Sequence, residues 1–209
     1  MNYVLKNLPV RTEKPRTTGF TMVMDKGMGI REVENFVEAN SDFVDIVKLG
    51  WATSYLTKNL AQKIQIYKDA GIPVYLGGTL FEAFVIRGQF EDYRRVLEKF
   101  DLSFAEVSDG SISLNHGKKC EYIQILSKDV TVLSEVGSKD AAKIIPPYKW
   151  IEQMQSELDA GSWKVIGEAR EGGNVGLFRD SGEVRQGLVE EILTQIPEER
   201  IIWEAPIKS

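Results

Sequence analysis

One regularity constrains this chain more than any other. β-rich runs and helical patterns alternate seven times along it with a period of about 30 residues, the rhythm of βα units in a parallel sheet with right-handed crossovers. The strand candidates are Gly19–Asp25, Phe43–Leu49, Pro73–Leu76, Phe104–Ser108, Thr131–Val136, Trp163–Ala169 and Arg200–Ala205. Several are almost continuously apolar, as burial on both faces requires. Between them, Leu60, Ile64, Tyr67 and Lys68 fall at helical spacing and stop at Gly71, and Phe90, Tyr93, Val96, Leu97 and Phe100 form a second stripe. Trp150, Ile151, Met154 and Leu158 form a third, ended by Gly161. Val184, Leu188, Ile192 and Gln195 form the last, ended by Pro197. Such stripes are core-facing helix surfaces rather than cofactor boxes.

Two α/β architectures fit the alternation, an open doubly wound sheet and a closed (β/α)8 TIM-type barrel. No G-x-G-x-x-G follows the first strand, so the dinucleotide-binding fingerprint of the open sheet is missing. Charged residues cluster instead at the C-terminal ends of nearly every strand, where barrels assemble their sites. The barrel is the expected fold, as a single domain over residues 1–209. An eighth βα unit would need about 40 further residues at this period, so that unit is expected to be absent from this chain.

Composition narrows the function. The net charge is −5 with a pI near 5.2, which disfavours a nucleic-acid partner but leaves room for a small anionic substrate in a locally cationic pocket. Hydrophobic residues make up 43% and charged residues 27%, enough apolar material for a real core. Cys120 is the single cysteine, so neither an internal disulfide nor a C-x-x-C site can form, and a reducing, cytoplasmic location is expected. The first residues, Met1-Asn-Tyr-Val-Leu-Lys, lack a signal-peptide pattern, and no apolar run approaches membrane-spanning length.

The strand exits carry the chemistry. In order they are Asp25-Lys26-Gly27, Lys48-Leu49-Gly50-Trp51, Gly77-Gly78-Thr79, Glu106-Val107-Ser108-Asp109-Gly110, Glu135-Val136-Gly137-Ser138-Lys139, Glu168-Ala169-Arg170-Glu171-Gly172-Gly173 and Glu204-Ala205-Pro206-Ile207-Lys208-Ser209. Residues two apart on a strand point the same way, which gives Glu168 and Arg170 one direction. So many charges at one barrel mouth are costly unless they pair, hold a metal or meet a charged ligand. A rim of structural ion pairs would also account for any one of them. Taken as a set, strand-end carboxylates with oxygen ligands only suit Mg²⁺, while the lysines and an arginine suit phosphate and carboxylate groups. Glycine-rich turns such as Gly77-Gly78 can bring backbone N–H groups close to an anion, although turns use glycine anyway. His116 and Cys120 lie four apart on one helix face, but barrel helices sit outside the site, so a nucleophilic Cys–His pair is not favoured. With His116 the single histidine, a histidine-based zinc site is excluded.

The strings Arg11-x-x-Lys14-Pro15-Arg16-x-x-Gly19, Met24-Asp25-Lys26-Gly27, Asp45-Ile46-Val47-Lys48-Leu49-Gly50-Trp51, Gly77-Gly78-Thr79-Leu80-Phe81-Glu82, Glu106-Val107-Ser108-Asp109-Gly110, Glu135-Val136-Gly137, Glu168-Ala169-Arg170-Glu171 and Glu204-Ala205-Pro206 resemble, in order and spacing, the phosphosulfolactate synthase family. The resemblance runs from about Arg11 to Ser209. Ala52 departs from it, standing where the family usually carries glycine. It implies a (β/α)8 barrel, a carbon–sulfur lyase, that adds sulfite to phosphoenolpyruvate with Mg²⁺ to give (2R)-phospho-3-sulfolactate, a precursor in sulfolactate or coenzyme M biosynthesis. It further implies that the metal binds the substrate carboxylate, that sulfite attacks C3, and that a lysine shortly after the fifth strand, Lys139 here, protonates C2. An acid working near neutral pH would need a lowered pKa, which neighbouring cations would provide. Lys26, Lys48 and Arg170, with Gly77 and Gly78, are then the expected substrate-binding groups. Glu135, Glu168 and Glu204, followed by Asp25 and Asp109, are the expected metal ligands.

Two other readings remain open: a related Mg²⁺-dependent lyase acting on another phospho-enol acid, and a non-catalytic, stress-associated barrel protein of the kind found in plants. A homo-oligomer is expected, since an open seam leaves strand edges to cover.

Overall fold

The computed structural model describes residues 5–140, 144–170 and 172–206. Glu171 and Lys208, two of the charged residues in the strand-exit strings, lie outside them. The elements run β1 (Met22–Asp25), α1 (Ile30–Asn40), β2 (Ile46–Leu49), α2 (Thr53–Leu56), α3 (Leu60–Asp69), β3 (Val74–Leu76), α4 (Gly78–Val85), α5 (Phe90–Lys99), β4 (Phe104–Val107), α6 (His116–Leu126), β5 (Thr131–Val136), α7 (Pro147–Asp159), β6 (Ser162–Gly167), α8 (Gln186–Leu193) and β7 (Ile201–Trp203). All seven expected strands are present, and β5 has the expected bounds. The others are shorter because their end residues leave the ladder. Three helices carried no clear sequence signal: α1, whose apolar positions are diluted by acids; the single-turn α2; and α4, whose opening Gly-Gly reads as a turn.

The strands are parallel and hydrogen-bond in two groups, β1-β2-β3 and β4-β5-β6-β7, with β3 packed beside β4. Whether they lie flat or curl is settled by reach. In a flat sheet, β2 and β7 would be about 24 Å apart, five strand spacings. Yet Lys48 of β2 touches Glu204, one residue past β7, at 3.2 Å. The sheet therefore curls into a barrel, and one apolar cluster, Ile46, Tyr75, Leu133, Ile166 and Ile202 with Met22 and Phe104 against it, collects side chains from all seven strands. Between β7 and β1 runs a groove of about 630 Å³, lined by Thr21, Met22 and Met24 on one side and Ile202, Trp203 and Ala205 on the other.

The interior follows the two-residue repeat of a strand. Ile46, Phe104, Leu133, Ile166 and Ile202 point inward, and two residues further along are Lys48, Glu106, Glu135, Glu168 and Glu204. An apolar layer thus underlies a charged one. The opposite phase packs outward against the helices, in one cluster spanning α1 to α6 and another formed by α7 and α8. Each fully buried Val, Leu or Ile contributes about 1.5–3 kcal/mol, and this outer sandwich is what can carry the cost of a charged mouth.

Candidate active site

Lys48 stands at the centre of the mouth. Its ammonium lies 3.0 Å from Glu106 Oε1, 3.2 Å from Glu135 Oε2 and 3.2 Å from Glu204 Oε1. Lys139, in the loop after β5, reaches back to Glu135 Oε1 at 2.9 Å and Glu168 Oε2 at 3.4 Å, and donates to Thr79 Oγ1 at 3.3 Å. Glu204 Oε2 accepts the Ala169 N–H at 2.9 Å, and Glu106 Oε1 accepts the Gly78 N–H at 2.7 Å from the N-terminus of α4. The ends of β2 to β7 thus each contribute a side chain to one small volume. Two positions there require glycine. A Cβ on Gly78 would fall 2.5 Å from Glu106 Oε1, and one on Gly137, whose φ is +137°, would fall 2.5 Å from Glu168 Cβ.

The charges do not balance. Four carboxylates (Glu106, Glu135, Glu168, Glu204) face two ammonium groups (Lys48, Lys139), and the buried oxygens Glu106 Oε2 and Glu168 Oε2 accept no hydrogen bond. Burial, then the charges of its neighbours, splits the titrations. Glu106 is pushed up to about 7 by burial against the pull of Lys48. Glu168 is pushed up to about 10, first by burial and then by the charge of Glu135, with which its protonated form shares a hydrogen bond. Glu204 is also raised, chiefly by burial. Burial acts upward on Glu135 too, but Lys48 and Lys139 override it and hold Glu135 well below the usual carboxylate range. Free of other ligands, the cage therefore keeps protons where a cation could sit. Glu135, Glu168 and Glu204 offer three carboxylate oxygens within 4.8 Å of one another, a hard, oxygen-only donor set that fits Mg²⁺.

The expected site residues divide. Lys48, Lys139, Glu135, Glu168 and Glu204 come together. Asp25 does not join them: Lys63 Nζ at 2.7 Å and the Tyr67 hydroxyl at 3.0 Å occupy its Oδ2, and the Gly27 and Met28 N–H groups occupy Oδ1. Asp109 turns outward to Lys119, 2.9 Å away. Arg170 is exposed, because β6 ends at Gly167 and the alternation that would align Arg170 with Glu168 ends with it. Lys26 is exposed and lines the groove between β1 and β7, near Glu204. The backbone donors of Gly77 and Gly78 are already engaged, by Leu49 O and Glu106 Oε1, so they are not open to an anion. The expectation of a lowered Lys139 pKa is also overturned. Burial does act downward, but Glu135 and Glu168, not cations, are its neighbours, and they raise it. His116 and Cys120 lie 3.7 Å apart on the outside, with the thiol raised by burial, the reverse of an activated nucleophile.

Sequence reasoning passed over Glu106, Thr79 and Glu82. Glu106 was findable, being two residues past Phe104 in the phase shared by Lys48 and Glu135. Glu82, buried in α4, accepts from Ser108 Oγ and from the Ser111 N–H, bracing the loop after β4. No helix among the described residues is long and apolar enough to cross a membrane.

Comparison with known proteins gives the family. The family model for (2R)-phospho-3-sulfolactate synthase (ComA) matches residues 9–209. The phosphosulfolactate synthase of Bacillus subtilis is 40% identical over 212 residues, covering 100% of this chain and 84% of that protein. The phosphosulfolactate synthase of Methanothermobacter thermautotrophicus is 35% identical, covering 96% of this chain and 80% of the relative. That of Methanocaldococcus jannaschii is 37% identical, covering 91% and 78%.

Proposed function

This chain belongs to the (2R)-phospho-3-sulfolactate synthase family, and we propose that it catalyses the Mg²⁺-dependent addition of sulfite to phosphoenolpyruvate. The observation that carries the proposal is the charge imbalance of the mouth, where four buried carboxylates meet two lysines and three of the carboxylates converge. The residues to hold the ion are Glu135, Glu168 and Glu204. A divalent cation held there would supply positive charge where negative charge develops on the substrate carboxylate, and would compete with Lys139 for Glu135 and Glu168.

The chain's own groups do the rest. Sulfite sulfur forms the new bond to C3 of phosphoenolpyruvate, and the C2–C3 π pair moves toward the carboxylate. Lys139, on the rim and partly open to solvent, delivers its proton to C2 and regains one from water. Lys48, by contrast, is only 5% exposed and ringed by Glu106, Glu135 and Glu204, away from the water that would restore a spent proton, so it serves as a fixed cation rather than an acid. Its place is to orient an anionic substrate and to hold the glutamates apart. Gly78 and the α4 N-terminus keep Glu106 turned toward Lys48.

The test is direct. Purified protein with phosphoenolpyruvate, sulfite and Mg²⁺ should consume sulfite and form a phosphorylated sulfonate, and chelation should stop both. Sulfite left unchanged by a folded, Mg²⁺-loaded protein would overturn the proposal. Turnover of a different phospho-enol acid would reassign the substrate but keep the cage.

A further inference from the structure

A second charge cluster lies behind the mouth, between α6, α7 and the ends of β4 and β5. At its centre is Lys119, a residue of α6 only 1% exposed. Its ammonium donates to the backbone carbonyl of Glu135 at 2.6 Å and to Asp109 Oδ1 at 2.9 Å, and it pairs with Glu157 Oε1 of α7 at 2.7 Å. Two hydrogen bonds and one ion pair thus tie three different chain segments to this ammonium, while Glu157 Oε1 itself accepts no hydrogen bond. None of these contacts reaches the interior of the mouth.

Two of them lead there by one covalent step. The carbonyl held by Lys119 belongs to Glu135, the carboxylate that bridges Lys48 and Lys139. Asp109 precedes Gly110, whose carbonyl accepts the Lys139 N–H at 3.1 Å. One buried ammonium thus fixes the backbone of the bridging carboxylate and, through Asp109-Gly110, the backbone of Lys139. Glu157, fully buried on the far side, holds the ammonium from behind. A cation this deep is costly to bury unless it is held from several sides, and the groups that hold it here belong to the two segments that carry Glu135 and Lys139.

We propose that Lys119 is a positioning residue for the reaction, setting the Glu135–Lys139 pair without touching substrate. This rests on the roles given above to Glu135 and Lys139. Sub-ångström placement matters here because a misplacement of about 1 Å, even from a change remote from the chemistry, can cost about 100-fold in rate.

The test uses the full chain with phosphoenolpyruvate, sulfite and Mg²⁺. Lys119→Met should lower kcat by about 100-fold and change the KM for phosphoenolpyruvate less than about threefold. Asp109→Ala guards against an unfolded Lys119 variant, since it leaves Lys119 its other two partners. It should lower kcat by about tenfold, with the circular dichroism spectrum and the Mg²⁺ affinity by calorimetry unchanged, whatever it costs in melting temperature. In a Lys139→Ala background, Lys119→Met should add little to the loss already present. Lys119→Met or Asp109→Ala with normal kcat, while Lys139→Ala is inactive, overturns the positioning role and leaves the proposed reaction intact. Asp109→Ala that loses Mg²⁺ affinity also overturns it, by making Asp109 a ligand. An active Lys139→Ala would instead strike at the proposed acid itself.

Discussion

Asp25 and Glu135 are both carboxylates at the end of a parallel strand, both almost wholly buried, and both paired with lysine. Their surroundings differ in one respect. Around Asp25 every oxygen is answered: Lys63 and Tyr67 meet Oδ2, the Gly27 and Met28 amides meet Oδ1, and Lys63 also donates to the Met28 carbonyl. One negative charge faces one positive charge, and the group serves to shape the loop after β1. Around Glu135 there are three further carboxylates, two ammonium groups to serve all four, and oxygens that accept no hydrogen bond. A closed ion-pair set stabilises structure, whereas an open one stores a demand for a ligand. Burial alone does not separate the two, and neither does position at a strand end. Local charge balance does.

That contrast can be tested from its strongest consequence downward. Lys139→Ala should lower turnover by about 100- to 10,000-fold, the usual worth of a positioned acid, with circular dichroism unchanged. Retained activity would reduce Lys139 to a structural cation like Lys63. Next, Asp25→Ala strands Lys63 in the interior and should cost about 3–5 kcal/mol in urea unfolding. Glu168→Gln, which mimics the protonated form the metal-free mouth already holds, should leave the metal-free protein as stable as the parent. Equal losses in both variants would erase the distinction between the two clusters.

The third effect is linkage to metal. Mg²⁺ at 100 times its dissociation constant should stabilise the parent by about 2.7 kcal/mol, and Glu168→Gln and Glu135→Gln should shrink that gain while Asp25→Asn should not. The smallest concerns pH. Glu106 has its folded-state value pushed up to about 7 from a reference of 4.5, so the folded chain holds more protons than the unfolded chain between those limits. The stability that proton confers is complete below pH 4.5 and is lost as pH rises through 7, on the order of 2 kcal/mol for the metal-free protein. Glu106→Gln should flatten the curve in that window, which denaturant midpoints between pH 4.5 and 8 would record. An unchanged slope would mean that Lys48 alone neutralises Glu106.

Much of this was legible in the sequence because two repeats were superimposed on it. The longer repeat gave the alternation of strands and helices. The two-residue repeat within each strand put Lys48, Glu135, Glu168 and Glu204 in one phase, two residues beyond Ile46, Leu133, Ile166 and Ile202. Where the ladder stops, the repeat loses its force, since a loop can turn its side chains either way: Asp109 meets Lys119, Arg170 is exposed, and Lys26 lines the neighbouring groove. Lys63 and Lys119 were passed over for another reason. Each occupies a core position of its helix, Lys63 beside Ile64 and Tyr67, and Lys119 one and two turns before Ile123 and Leu126. A lysine on an apolar stripe is the signal that could have revealed them, though not which carboxylate each would meet.

The apolar layer beneath the charged one has a further consequence, for traffic. Ile46, Tyr75, Leu133, Ile166 and Ile202 form a floor, so the cage is a cup rather than a tunnel. What enters from the top meets this floor and leaves by the mouth or sideways, along the groove between β7 and β1 that reaches Glu204. Under the proposed reaction, the reactant that sits deeper would have to arrive first, and a product bridging both positions would have to lift out whole before the next cycle.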